Sequence, residues 1–213
     1  MVPKLYIIEA SPPARAVIVT AAAVGVQLDI IIVEKDYLYT DEFLKLNPQH
    51  TVPVLIDEDK IICDSHVIVT YLIQKYAKDD LLYPSSLSKR ILVDQRLYYD
   101  ASIMFPILKK TFNGFRSKEF KEVPNEIKIT ANEVYDIFEK HLTKTDWLAG
   151  DHITVADISC YITIKSMNVL MPYDSKKYAK VALWAKKLND VPYFSVDGPY
   201  FKAFVEYHKM VTS

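Results

Sequence analysis

Glycine is nearly absent from this chain, with four in 213 residues. No G-x-G-x-x-G, G-x-x-x-x-G-K-[ST] or G-x-S-x-G segment occurs, so dinucleotide-binding, phosphate-loop and nucleophile-elbow chemistries lose their sequence support. Cysteine is scarcer still. Cys63 and Cys160 lie far apart and form neither a C-x-x-C pair nor a disulfide framework. Both sit among apolar neighbours, which predicts buried thiols in a reducing compartment and no metal site. Charge of one sign is missing as well: Lys+Arg 26 stand against Asp+Glu 27, without the basic stripe that a nucleic-acid partner requires. No apolar run approaches the roughly 20 residues that span a bilayer. The apolar run after Lys4 ends at Glu9, too short for the centre of a signal peptide. The expectation is a soluble, cytoplasmic protein with no membrane or nucleic-acid partner.

Half of the residues are hydrophobic, enough to bury a sizeable core. Residues 4–9 carry Leu5, Tyr6, Ile7 and Ile8 and read as a short buried strand. Ser11-Pro12-Pro13 breaks it, and the alanine-rich stretch from Ala14 to Val24 reads as a helix ending near Gly25. Leu28 to Val33 is a β-branched run and reads as a second strand. A strand–helix–strand unit of about thirty residues implies a parallel pair. Asp41 to Leu46 predicts a short helix. Val52 to Ile56 and Lys60 to Cys63 predict two strands around the turn Asp57-Glu58-Asp59. Asp64-Ser65 then opens a helix running through Tyr76.

Beyond residue 77 the character changes. Residues 78–87 hold Asp79-Asp80, Pro84 and serines and read as a linker. The rest is helical in pattern: Ser88 to Phe115, Asn125 to Leu142, Val155 to Leu170, Lys176 to Leu188 and Phe201 to Val211. The predicted plan is an α/β domain over 1–77 followed by an all-helical domain over 88–213.

Three places offer chemistry. Ser11 lies between a strand and a helix N-terminus, where orphan amides and the macrodipole favour an anion. Its hydroxyl either caps the helix or donates to such an anion. If the anion is a thiolate, donation lowers the thiol pKa and raises the nucleophile's population. Pro53 lies inside a strand-like run, where it cannot donate to a ladder. It is either an ordinary edge proline or a cis residue that exposes the Val52 backbone to an extended peptide. Asp64-Ser65 at a helix start is either a plain N-cap or a site for a ligand bearing both ammonium and carboxylate. His50, just ahead of Pro53, is a possible contact for a second carboxylate.

The order strand, Ser-helix, strand, His-x-x-Pro, strand, strand, Asp-Ser-helix resembles the thioredoxin-like half of a glutathione transferase. Ser11-Pro12-Pro13-Ala14-Arg15-Ala16-Val17 resembles the SPP-x-RAV segment of insect delta and epsilon members. Glu42 to Leu55 is similar to their EF-x-KLNPQHTIP-x-L signature. Asp64-Ser65-His66-Val67-Ile68 resembles ESHAI, with His66 leaning to the epsilon class. Leu148 to Asp151 and Ile153 to Asp157 resemble the family's LAG and T-x-AD stretch, where Thr154 and Asp157 also have the spacing of a capping box.

The resemblance implies an N-terminal thioredoxin-like domain and a C-terminal helical bundle, glutathione as co-substrate, a homodimer, and conjugation of glutathione to apolar electrophiles of the detoxification kind. It implies that Ser11 bonds the glutathione sulfur and Val52 the cysteinyl backbone beside a cis Pro53. Asp64, Ser65 and His66 would hold the γ-glutamyl end, and His50 the glycyl carboxylate. Phe105, Leu108 and Phe112 are the candidate electrophile wall. Lys109 or Lys110 reaches the polar edge, with Lys109 the candidate glutathione contact, and Asp100 faces a dimer partner. The family's GEHLKPEF segment reads here as Asp36 to Phe43, with Leu38 where a glycyl-binding histidine stands. One charged hydrogen bond fewer costs about 1.5–3 kcal/mol, or about ten- to a hundredfold in affinity. Leu38 thus favours an alternative, a low-turnover carrier of hydrophobic ligands. A cysteine-dependent redox member is disfavoured, since position 11 is serine.

Overall fold

A computed structural model describes residues 2–212. A four-stranded sheet comes first: β1 (Lys4–Ile7), β2 (Asp29–Ile32), β3 (Val54–Asp57) and β4 (Lys60–Cys63), in the order β2-β1-β3-β4. β1 and β2 run parallel with Leu5 opposite Ile30, joined by helix α1 (Pro12–Ala23) as the strand–helix–strand reading requires. β3 runs antiparallel to β1 with Tyr6 opposite Val54, and β4 antiparallel to β3 with Val54 opposite Cys63. Helix α2 (Asp41–Leu46) precedes β3, and α3 (Ser65–Tyr76) follows β4. The chain then continues through α4 (Leu87–Tyr99), α5 (Phe105–Arg116), α6 (Asn125–Lys144), α7 (Val155–Leu170), α8 (Ala179–Asn189) and α9 (Gly198–Thr212). This is a thioredoxin-like α/β domain followed by a helical domain.

α1 is buried over its middle: Ala14 through Ala21 are all buried, while Pro12, Pro13, Ala22 and Ala23 at its ends are partly exposed. Its alanines bring neighbouring helices close, and it packs on α3 within the first domain and on α7 of the second. Arg15, fully buried here, forks onto Asp197: Nε donates to Oδ1 at 2.6 Å and Nη2 to Oδ2 at 2.9 Å. Nη1 donates to Ser166 Oγ at 2.9 Å, and Lys165 Nζ reaches Asp197 Oδ2 at 2.8 Å. A bidentate fork with further partners is the arrangement a buried charge requires.

α7 starts as predicted. Asp157 accepts from the Thr154 amide at 2.9 Å and the Thr154 hydroxyl at 3.0 Å. The same carboxylate also accepts from the Leu148 amide and Trp184 Nε1, each at 2.9 Å. The sequence spacing foretold the cap but not the clamp on α8.

Three elements differ from expectation. The helix predicted over Ser88 to Phe115 is broken by a π-turn at Asp100–Met104, where the Phe105 amide bonds Asp100. Pro106 explains it, because its missing N–H and its ring rule out regular pairing to the carbonyl four residues back. Short 3-10 turns at Lys35–Tyr39 and Pro192–Asp197 were not anticipated, since single turns carry too little periodicity to show. Finally, Cys160 is buried as expected, but Cys63 is only half-buried.

Candidate active site

The sheet topology gathers the chemistry-bearing segments at one end. β1 and β2 end there, β3 begins there, and β4 ends there. Ser11 follows β1, Glu34 and Lys35 follow β2, Val52-Pro53 precedes β3, and Asp64 follows β4. Ligands of open α/β sheets collect beyond such strand ends. The Tyr6–Val54 register continues to set Ile8 beside Val52, and both face a cavity of about 280 Å³.

Ser11 opens onto that cavity. It sits at the N-cap of α1 in an extended conformation, yet its hydroxyl makes no capping bond to the helix. Its amide donates to Ile8 O at 2.9 Å and its carbonyl accepts from Arg15 at 3.1 Å, so only the side chain is uncommitted. Pro12 and Pro13 remove two of the helix's orphan donors. The Ser11 Oγ is therefore the side-chain donor that this helix start offers to an anion, with the macrodipole in support.

The Val52–Pro53 peptide is cis. The approach to it is held by Asn47, almost fully buried, whose Nδ2 donates to Thr51 O at 2.8 Å and Oγ1 at 2.9 Å while its Oδ1 accepts from the Gln49 amide at 3.0 Å. Sequence reasoning missed Asn47 as this anchor. Asn-Pro reads as a turn without revealing what the side chain holds. His50 lies on the same loop at φ 45°, a left-handed conformation uncommon for residues other than glycine, though histidine is among those enriched in it. Its ring stacks on Tyr39 with centroids 4.8 Å apart, and it is exposed, outside the cavity wall.

Asp64 caps α3. Its Oδ1 accepts from the His66 amide at 2.9 Å and the Val67 amide at 3.3 Å, leaving Oδ2 uncommitted. Its φ of 71° is also left-handed. Ser65, just behind, is buried. The His66 ring reaches Asp100 Oδ2 at 3.1 Å through Nε2, while its Nδ1 lies 3.5 Å from Asp64 Oδ1. Burial works against a charged imidazole, but the hydrogen bond to Asp100 and the carboxylate of Asp64 outweigh it and raise the pKa to about 9. His66 thus holds the Asp64 carboxyl below its ordinary range, helped by its amide and charge. Asp100 is buried and also accepts from Ser159 Oγ at 2.6 Å. It therefore faces the interior of this chain and not a dimer partner, which corrects the sequence expectation.

Leu38 is also corrected. It is buried with Phe43 and Val54 in a small core under the 3-10 turn, so it is no ligand contact. Phe105, Leu108 and Phe112 of α5 all line the cavity, as does Lys109, whereas Lys110 turns away to pair with Glu126 at 3.5 Å. The opposite wall comes from α9, which the sequence reading did not assign to the site. Phe204 and Tyr207 stack on Phe112 at 5.8 and 5.3 Å. Their three-residue spacing, with Phe201 before them, was the available signal.

Two protein-family models match the chain: glutathione S-transferase, N-terminal domain, over residues 5–80, and glutathione S-transferase, C-terminal domain, over residues 103–194. Glutathione S-transferase 1 of Manduca sexta is 40% identical over 204 residues, covering 90% of this chain and 89% of the relative. The chain belongs to the glutathione S-transferase family. Among solved structures, an epsilon-class glutathione S-transferase from housefly, Musca domestica, superposes on this chain with a TM-score of 0.94 at 34% identity, covering 98% of each chain. A glutathione transferase homolog from Drosophila mojavensis, solved with bound glutathione, gives 0.93 at 40% identity, covering 98% of this chain and 96% of that one. The sheet, the cis proline and the Ser11 helix of this chain therefore sit on a fold shared with insect relatives.

Proposed function

We propose that the protein is an enzyme that conjugates the glutathione thiolate to apolar electrophiles, in the manner of a detoxifying transferase. One observation carries this reading: the Ser11 hydroxyl, unspent on its helix, opens into the same cavity as Val52 and the aromatic wall of α5 and α9. The names of the relatives and the glutathione-bound homolog support it. Ser11 Oγ donates to the sulfur and stabilises the thiolate electrostatically, without acting as a base. The Val52 backbone pairs with the cysteinyl unit. Asp64 Oδ2 takes the γ-glutamyl ammonium, Ser65 and the α3 amides take the α-carboxylate, and His66 keeps Asp64 ionised. His50, stacked on Tyr39, takes the glycyl carboxylate. Closeness of thiolate and electrophile supplies much of the remaining acceleration.

Ser11→Ala tests the reading. Losing a hydrogen bond to a charged sulfur costs about 1.5–3 kcal/mol, or about one to two units in the bound thiol's pKa. The expected outcome is a rise of that size in the pKa of the pH–rate profile and about a ten- to hundredfold fall in kcat/KM with a model electrophile. An unchanged profile removes Ser11 from the mechanism. The carrier reading is favoured by Leu38, whose burial removes one glycyl contact. Calorimetry separates the two: no glutathione binding at millimolar concentration leaves only the carrier.

We place the division between the domains within residues 78–87, and the protein in the cytoplasm as a homodimer. Among the described residues no helix is long and apolar enough to cross a membrane. Leu87, Ile91 and Tyr98 of α4, exposed at helical spacing, and Val67 of α3 support a self-complementary face. Sedimentation equilibrium is expected to give twice the 24.5 kDa chain mass. A monomer would refute the pairing.

A further inference from the structure

The cavity is apolar in its depth and cationic at its rim. Phe105, Leu108 and Phe112 form one row along α5. Lys109, Asn113 and Arg116 form the adjacent row at four- and three-residue steps, and all six side chains line the same space. Glu34 and Lys35, after β2, also line the space and contribute one charge of each sign. That leaves Lys109 and Arg116 as uncompensated charges. Among the described residues neither meets a carboxylate, although the neighbouring Lys110 does, in Glu126. A chain of net charge -1 with 27 acidic residues had ample means to pair them. Two free cations flanking an aromatic trough match an amphiphilic anion: its apolar body lies on the rings, and its charge lies at the α5 edge.

We propose that the electrophile of this enzyme carries an anionic group, a carboxylate or its equivalent, on an apolar body, and that Lys109 and Arg116 select it. The proposal rests on the conjugation reading above. In the reaction with an aryl chloride, the glutathione sulfur forms the new C–S bond. Chloride leaves with the C–Cl electron pair, and the thiol proton has already passed to solvent. The anionic group takes no part in bond making, so the two cations act by placement alone.

A matched pair of electrophiles tests this: 1-chloro-2,4-dinitrobenzene, which is neutral, and 4-chloro-3,5-dinitrobenzoate, which is anionic. The quantity read is the ratio of kcat/KM, anionic over neutral, and the intrinsic reactivity of each compound cancels when proteins are compared. In a Lys109→Met/Arg116→Met variant the ratio is expected to fall about three- to tenfold, the range open to two partly exposed ion pairs. In the unaltered protein the ratio is expected to fall as salt rises from about 0.01 M to about 0.15 M, where the Debye length shrinks from about 30 to about 8 Å. A ratio that stays within about twofold in the variant overturns the proposal. So does a rise in the KM for glutathione that is equal with both electrophiles, because the cations would then serve the glycyl carboxylate. Turnover of neither compound by the unaltered protein counts against conjugation itself, whereas equal variant losses with both count only against the anion preference.

Discussion

His66 shows how one side chain sets the ionisation of a site. Its imidazole lies between Asp64 and Asp100 and titrates near 9 in the folded chain, against about 6.5 when unfolded. A raised histidine pKa stabilises the fold fully below about pH 6.5, and that stabilisation drains away as pH climbs through 9. The linkage corresponds to a ceiling on the order of 3 kcal/mol. Urea denaturation across that interval should show stability falling with pH, and in His66→Ala the fall should be largely absent. An identical slope in both proteins would contradict the assignment. Ser11, Asp64 and Pro53 were legible in the sequence because strand breaks and helix starts betray position. Leu38 and Asp100 were not, because nothing in a linear pattern says which way a residue of a single 3-10 or π-turn points. The Asp100–Ser159 contact, 59 residues apart, leaves no local trace.

Among elements, α7 is heavily anchored. Asp157 gathers the Leu148 amide, both donors of Thr154 and the Trp184 indole, so one carboxylate fixes the loop before the helix, its first turn and α8. Asp157→Ala leaves several buried donors without an acceptor, at about 1–3 kcal/mol each. We expect a loss of about 3 kcal/mol or more in denaturant unfolding, and a change below about 1 kcal/mol would show that water substitutes for the carboxylate. The capping spacing was readable in Thr154-x-x-Asp157. The helices themselves were readable too: Val155–Leu170 and Asp41–Leu46 fall where periodicity puts them. The break at Asp100–Met104 was not foreseen, although Pro106 is its visible cause.

At the scale of the whole molecule the two domains share one buried ion cluster. Burial pushes the Asp197 carboxyl up, but the forked hydrogen bonds and charge of Arg15, with Lys165, hold it below its usual range. Its contribution is present above the ordinary carboxylate pKa and is lost as pH falls through the lower folded value. Asp197→Ala strands the Arg15 cation and is expected to cost about 3–5 kcal/mol, whereas removing both charges in Arg15→Met/Asp197→Leu should cost clearly less. A double-variant loss equal to the sum of the Arg15→Met and Asp197→Leu losses would show that the pair is not coupled. The domain order was legible from the shift in pattern after residue 77. The ion cluster was not, since Arg15 read only as part of a family segment.

That cluster also sets a timetable for synthesis. Arg15 leaves the ribosome first, and its partner follows 182 residues later. At about 5–20 residues per second, roughly 10–35 s pass before Asp197 emerges. Throughout that interval α1, the helix that carries Ser11 at its tip, has no Asp197 for its arginine, and for most of it no α7 (Val155–Leu170) to lie against. The sheet can form early, but the helix that carries Ser11 gains its last buried charge partner only when Asp197 has emerged.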